Sequence, residues 1–312
     1  MMTTSELRKM WIVHDIDEKT VSINGYKGAD ENLTIPETIG EKIVVSIGER
    51  AFRPMSHKAQ RQVYSNIKTI SLSDTITRIE PEAFEGCKAL VSVSLSSKLS
   101  YLGYSCFAEC DSLEKIEIPE TVQSIDNGVF SKCKSLKSCI LHSDETTITH
   151  ESFYGCEKLD EIYVLKNGKR KPFIWSDPTN GYLPDMGHYA FCGCKSLKEM
   201  VIHENTREIS EGFLYDCESL EKIELPESLE FIGANAFRGC SSVTYLRIPP
   251  NVKHIDFWAF FGMKSLKRVD FCSKVAVVDE SAFRGCPDFE MRFIDVETNE
   301  CVLVKTHKSD DD

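Results

Sequence analysis

The sequence predicts a solenoid: short, similar turns of chain stacked so that a parallel β-sheet runs along one face, with short turns and no long helices. Three observations predict it. A motif returns every 23 residues, carrying Phe84 to Phe107, Cys87 to Cys110, Leu90 to Leu113, Val93 to Ile116 and Leu95 to Ile118, and a fixed period of this size marks a repeat architecture. Each unit holds a segment of the form LxxIxIP, as in LEKIEIP (113–119), LEKIELP (220–226) and VTYLRIP (243–249). Its fourth and sixth positions are apolar between polar neighbours, the period of a strand with one buried face. A proline then closes that segment, because it fixes φ and has no N–H to give the ladder.

The 312 residues suggest about two domains on length alone. A solenoid lengthens without splitting its core, so residues 21–298 are expected to form one repeat domain. Residues 1–20 read as an N-terminal extension and 299–312 as the C-terminal end with an acidic tail. Within the domain, residues 21–46 read as an N-terminal cap, since KTVSINGYKGADENLTIP alternates on both sides of Asn24-Gly25 and predicts a β-hairpin turning there.

The aromatic position anchors the series Phe52, Phe84, Phe107, Phe130, Phe153, Phe191, Leu214, Phe237, Phe260 and Phe283. Leu214 rather than Phe213 keeps the spacing to Ile209 and Cys217. Two steps are longer, 32 residues from Phe52 to Phe84 and 38 from Phe153 to Phe191. They locate insertions near 53–66 and 166–188. In the last unit, MRFIDVETNECVLV reads as a C-terminal cap strand.

The pattern LxxIxIPxxVxxIGxxAFxGCxS resembles the BspA-type (Treponema pallidum-type) leucine-rich repeat, over about residues 33–294 and ten copies. The resemblance implies a leucine-rich repeat solenoid, a curved right-handed array with its parallel sheet along one face. It also implies attachment and binding of host or matrix proteins, the role of the family's secreted members.

Eight cysteines, Cys87, Cys110, Cys133, Cys156, Cys194, Cys217, Cys240 and Cys286, share one repeat position, where Met55 and Met263 also stand. Free cysteine is among the most buried residue types, so the column reads as packing rather than as a metal or redox array. Cys106 with Cys110 and Cys192 with Cys194 lack a second pair at structural-zinc spacing. No common catalytic motif stands in its required context, so no enzyme, cofactor or metal is expected. An enzyme or metal site assembled by the central strands, with His142 and His203, is the remote alternative.

Departures from the repeat point to binding. Where other units have Pro36, Pro119, Pro226 and Pro249, the middle of the array has His142, Leu165 and His203. Its outward strand positions hold Ile140, Tyr163 and Val201, where neighbours hold Glu117, Glu224, Arg247 and Asp270. The insertion beside them carries Lys169, Arg170, Lys171, Phe173, Trp175 and Tyr182. A clustered apolar surface with aromatic anchors and a basic loop marks an interaction site. The expected function is therefore protein–protein interaction through the sheet face and the 166–188 loop. A surface adhesin that binds host protein or glycan is the alternative.

The net charge of −12 argues against nucleic acid or anionic membrane as partner. Glu6, Arg8, Lys9 and Asp15 interrupt any apolar run near the start, so the chain as written reads as cytoplasmic, or extracellular if a leader has been removed. A monomer is expected, or a weak dimer through an exposed sheet edge.

Overall fold

The computed structural model describes residues 4–175, 187–273, 277–295, 297–298 and 300–309. It is a β-solenoid of about 11 turns. The chain divides into two compact units, Met1–Thr147 with Gly155–Lys171, and Ile148–Tyr154 with Pro172–Asp312.

In the first unit the main face is built by β1 (Asn32–Thr34), β2 (Thr69–Ser71) and β3 (Ser92–Ser94), then β4 (Lys115–Ile118), β5 (Ser138–Leu141), β6 (Glu161–Lys166) and β7 (Lys169–Pro172). The parallel register sets Ile116 beside Cys139 and Glu117 beside Ile140, then Ile140 beside Tyr163. Each step is the 23-residue period, so equivalent positions of successive units lie side by side. In β4 the alternation is complete: Lys115 and Glu117 are exposed, Ile116 and Ile118 buried. In the second unit β8 (Ile174–Trp175) pairs with β9 (Glu199–Ile202), and β9 with β10 (Lys222–Ile223). A further sheet orders β11 (Tyr245–Ile248), β12 (Arg268–Phe271), β13 (Phe289–Ile294) and β14 (Cys301–His307). β13 and β14 pair antiparallel as a hairpin at the end of this sheet.

Stacked rings fill the core between strand and turn. In the first unit Phe52, Phe84, Phe107 and Phe130 stack at 5.1, 5.2 and 5.9 Å. In the second, Phe153 stacks on Phe191 at 5.6 Å, and Phe237 on Phe260 at 5.5 Å. Such pairs contribute about 0.5–1.5 kcal/mol each beyond simple burial.

The cysteine column is more than small apolar filling. Each thiol donates to the backbone carbonyl of the aromatic position one turn earlier. In the first unit Cys87 meets Phe52 O, Cys110 meets Phe84 O, Cys133 meets Phe107 O and Cys156 meets Phe130 O, at 3.1–3.3 Å. In the second, Cys194, Cys217, Cys240 and Cys286 do the same to Phe153, Phe191, Leu214 and Phe260. The position therefore wants a small apolar residue that is also a weak donor. Cys240 bonding to Leu214 O puts Leu214 in the ladder register, while the neighbouring Phe213 ring fills the core edge-on against Phe191 at 5.5 Å.

Burial pushes the thiols of Cys110 and Cys217 well above their ordinary range, which leaves them without reactive thiolate. Of the thirteen cysteines only Cys301 is exposed. A thiol reagent applied to the native protein is expected to modify one site quickly; fast modification of the whole column would overturn the packing assignment.

Two local readings are corrected. Asn24-Gly25 is not a turn: both residues lie inside one strand, Thr20–Tyr26, which pairs antiparallel with Trp11–Asp15. The turn falls between these strands, where Asp17 accepts the backbone N–H groups of Lys19 and Thr20 at 2.7 Å. Gly25 is required for close approach instead, since a Cβ there would lie 2.7 Å from the Tyr64 hydroxyl. Met55 is 69% exposed rather than buried. The first insertion explains it: Pro54–Ser56 form a 3-10 turn, Arg61–Ser65 a short helix, and buried Tyr64 packs its ring 5.4 Å from Phe52. Arg50 and Arg53 tie this insertion to Glu82, whose carboxyl the Arg50 hydrogen bonds hold down at about 2.

Candidate functional site

The main face of the first unit carries a groove of about 820 Å³ over β2, β3 and β4. Its origin is side-chain length. The outward positions of β2 and β3 are Thr69, Ser71, Ser92 and Ser94, too short to cover the face, and the edges of Ile70, Val93 and Leu95 show between them. On β4 the corresponding positions are Lys115 and Glu117, which rise as a wall.

Past the strand ends, the loop residues Asp74, Ser97 and Glu120 stand one period apart, so they line up across the rungs at the groove's rim. Ser97 donates to Asp74 Oδ1 from both its backbone N–H and its hydroxyl, each at 3.0 Å. These bonds hold the Asp74 carboxyl below its usual range. Glu117 is held low as well, first by the Lys115 ammonium at 2.8 Å and then by His142, whose Nε2 lies 3.5 Å away. Among the described residues, neither Asp74 nor Glu120 takes part in an ion pair. Glu120 also borders a second trough of about 690 Å³, lined by Ser100, Thr121, Ser124, Ser143 and Thr147.

The structure distributes the residues singled out from the sequence. In the first unit His142 is half-buried and lines the groove. Its backbone N–H, which proline would lack, bonds Ile118 O at 3.0 Å and extends the ladder by one step. Tyr163 and Leu165 are half-buried on β6. Asn167-Gly168, both at positive φ, turn the chain into β7, a two-residue hairpin turn of the type this dipeptide favours. The hairpin returns the Arg170 guanidinium over the Tyr163 ring, 4.1 Å from its centroid and 2.6 Å from Glu161. Lys169 and Lys171 are exposed. Ile140, expected on the open face, is buried at 2% exposure. Its rung neighbours explain this: Tyr163 with its stacked guanidinium stands on one side and the Glu117–His142 pair on the other.

In the second unit the expectation of exposed aromatic anchors is corrected. Phe173 and Trp175 are both buried, Trp175 completely. Trp175 lies on β8, beside Ile202, with its ring 4.3 Å from Phe213. The insertion thus supplies a rung of its own, and Trp175 O accepts the His203 N–H at 2.7 Å. Val201 and His203 are half-buried. Tyr182 lies outside the described residues.

The serine and threonine groove was missed in the sequence. Its signal was present: Ser71 and Ser94 repeat after one period where later units carry Glu117, Glu224 and Arg247. These positions depart from the repeat in size rather than in polarity, a weaker signal than an apolar residue in a polar row. Among the described residues no group of three or more His, Cys, Asp and Glu has the geometry to hold a metal ion. Among them, too, no helix is long and apolar enough to cross a membrane.

Solved structures resemble the chain, and the first of them shares its fold. The leucine-rich repeat protein of T. pallidum is 23% identical, with a TM-score of 0.52 over 75% of this chain and 88% of that one. A leucine-rich cell surface protein of Faecalibacterium prausnitzii A2-165 is 21% identical over 93% and 94%, with a TM-score of 0.42. The pneumococcal vaccine antigen PcpA is 17% identical over 92% and 86%, with a TM-score of 0.47. No curated protein matches the chain. The family model of the BspA type leucine rich repeat region matches in six copies across residues 57–171 and 179–290. This span, together with the 23-residue rungs, makes the chain a member of the BspA-type leucine-rich repeat family.

Proposed function

We propose that the chain is a non-enzymatic binding module that receives an extended segment of a partner protein on the main face of its first unit. The observation that carries this reading is the groove itself. It is long, open, floored by apolar edges and lined by hydroxyls, so it offers hydrogen bonds to a backbone laid across several rungs. A rigid repeat array suits such a surface, whereas catalysis calls for polar groups converging in an enclosed pocket. His142 closes the groove at β5. Tyr163 with its stacked Arg170, flanked by Leu165, Lys169 and Lys171, forms the adjoining contact surface. Val201 and His203 are candidates for a separate contact on the second unit. Ile140, Phe173 and Trp175 support these surfaces from beneath.

The test is selection of random 12-residue displayed peptides on the full chain, followed by titration against Ser94→Trp, which fills the trough with an indole. Selected peptides are expected to lose about tenfold or more in affinity, the scale of a lost central contact. Peptides that bind both proteins equally would move the site elsewhere. Direct binding of a neutral oligosaccharide, with no peptide selected, would turn the reading to a glycan.

A further inference from the structure

We infer that the groove's partner is basic, and that two lysine or arginine side chains of the bound segment, about three residues apart, pair with Asp74 and with Glu120. This rests on the reading of the groove as a peptide site, and it names the chemistry that site selects. The two carboxylates flank Ser97 on successive turns of the same rim. Neighbouring rungs lie about 4.8 Å apart, so Asp74 and Glu120 are separated by about 10 Å across the face. An extended segment crossing the rungs covers that distance in about three residues.

Among the described residues no cation of the chain forms an ion pair with Asp74 or Glu120; Lys98 acts on Asp74 only through its field, and Lys166, which also feels Glu120, pairs with Asp144. Lys115, the one lysine lining the groove, bonds Glu117, and His142 faces the same carboxylate. Asp74 spends Oδ1 on both Ser97 donors, which leaves Oδ2 for a ligand. A cation set against each carboxylate would gain a charge-assisted hydrogen bond, while Ser71, Ser94 and Ser97 offer hydroxyls to the backbone on either side. An acidic peptide or acidic glycan would meet the same carboxylates as repulsion, so the rim discriminates by sign as well as by fit.

The experiment uses the full chain and three fluorescein-labelled 12-residue peptides of one Ser/Ala backbone, with Lys, Gln or Glu at every third position. Binding is followed by anisotropy at low and at physiological salt. The lysine peptide is expected to bind best and to weaken as salt rises. The paired substitution Asp74→Asn with Glu120→Gln keeps size and removes charge. It should weaken the lysine peptide about tenfold, the sum of two ion pairs at a partly exposed rim, and leave the glutamine peptide unchanged.

If Ser94→Trp abolishes binding while the paired charge variant does not, the groove stands and the cation inference falls. When neither variant changes binding of the lysine peptide, both fall. Equal binding of the three peptides, or none detectable up to about 1 mM, also overturns the inference.

Discussion

Replacing Trp175 with alanine should destabilise the second unit by about 3–5 kcal/mol, the range for deleting a fully buried large aromatic. The indole has no exposed surface and packs on Phe213, and its own backbone carries a ladder bond to His203. Alanine leaves that bond in place and opens a void beside Phe213. Urea titration of the variant checks the magnitude. Ile174→Ser is the control, because Ile174 on the same two-residue strand is 45% exposed and its replacement should cost under about 0.5 kcal/mol. A Trp175→Ala protein of near wild-type stability that had lost a binding partner would instead make the indole a surface anchor.

Phe107→Ala is expected to cost a similar 3–5 kcal/mol in the first unit, with a further consequence for cooperativity. Phe107 is fully buried and stacks on Phe84 on one side and Phe130 on the other. In a repeat array each turn contacts only its neighbours, so a void at one rung weakens two interfaces together. The unfolding transition should become broader or split into two, read as a lower denaturant slope or non-coincident probes. Phe107→Leu retains most of the volume, as Leu214 does at the equivalent rung, and should cost about half as much or less. A sharp, unshifted transition for Phe107→Ala would show that the ring ladder does not couple the rungs.

The same dipeptide shows what a sequence can and cannot say. Asn24-Gly25 and Asn167-Gly168 carry identical turn signals. The second pair makes a tight turn at positive φ in both residues. The first lies within a strand, because Asp17 caps an alternative turn and the distant Tyr64, whose hydroxyl accepts the Tyr26 N–H, needs the space above Gly25. Turn propensity is local, and here a distant contact outweighed it. The aromatic insertion followed the same course. Phe173 and Trp175 have the residue types of a binding hot spot, and only their packing under the ladder reveals them as core. His142 and His203 were legible as departures from proline, although their first structural consequence is an added backbone hydrogen bond.

The sequence by itself determined the repeat length, the strands of the repeat, the register of Leu214 and the family. All of these follow from a period that imposes the same environment on equivalent residues, so one unit interprets the next. Tertiary structure decided what the departures from that period do. Whether Ile140 or Trp175 faces solvent depends on side chains one rung or one insertion away, which spacing does not encode. The groove exists because four short side chains on two adjacent strands leave a face uncovered beside the longer Lys115 and Glu117, and that contrast in height exists only once the strands are paired.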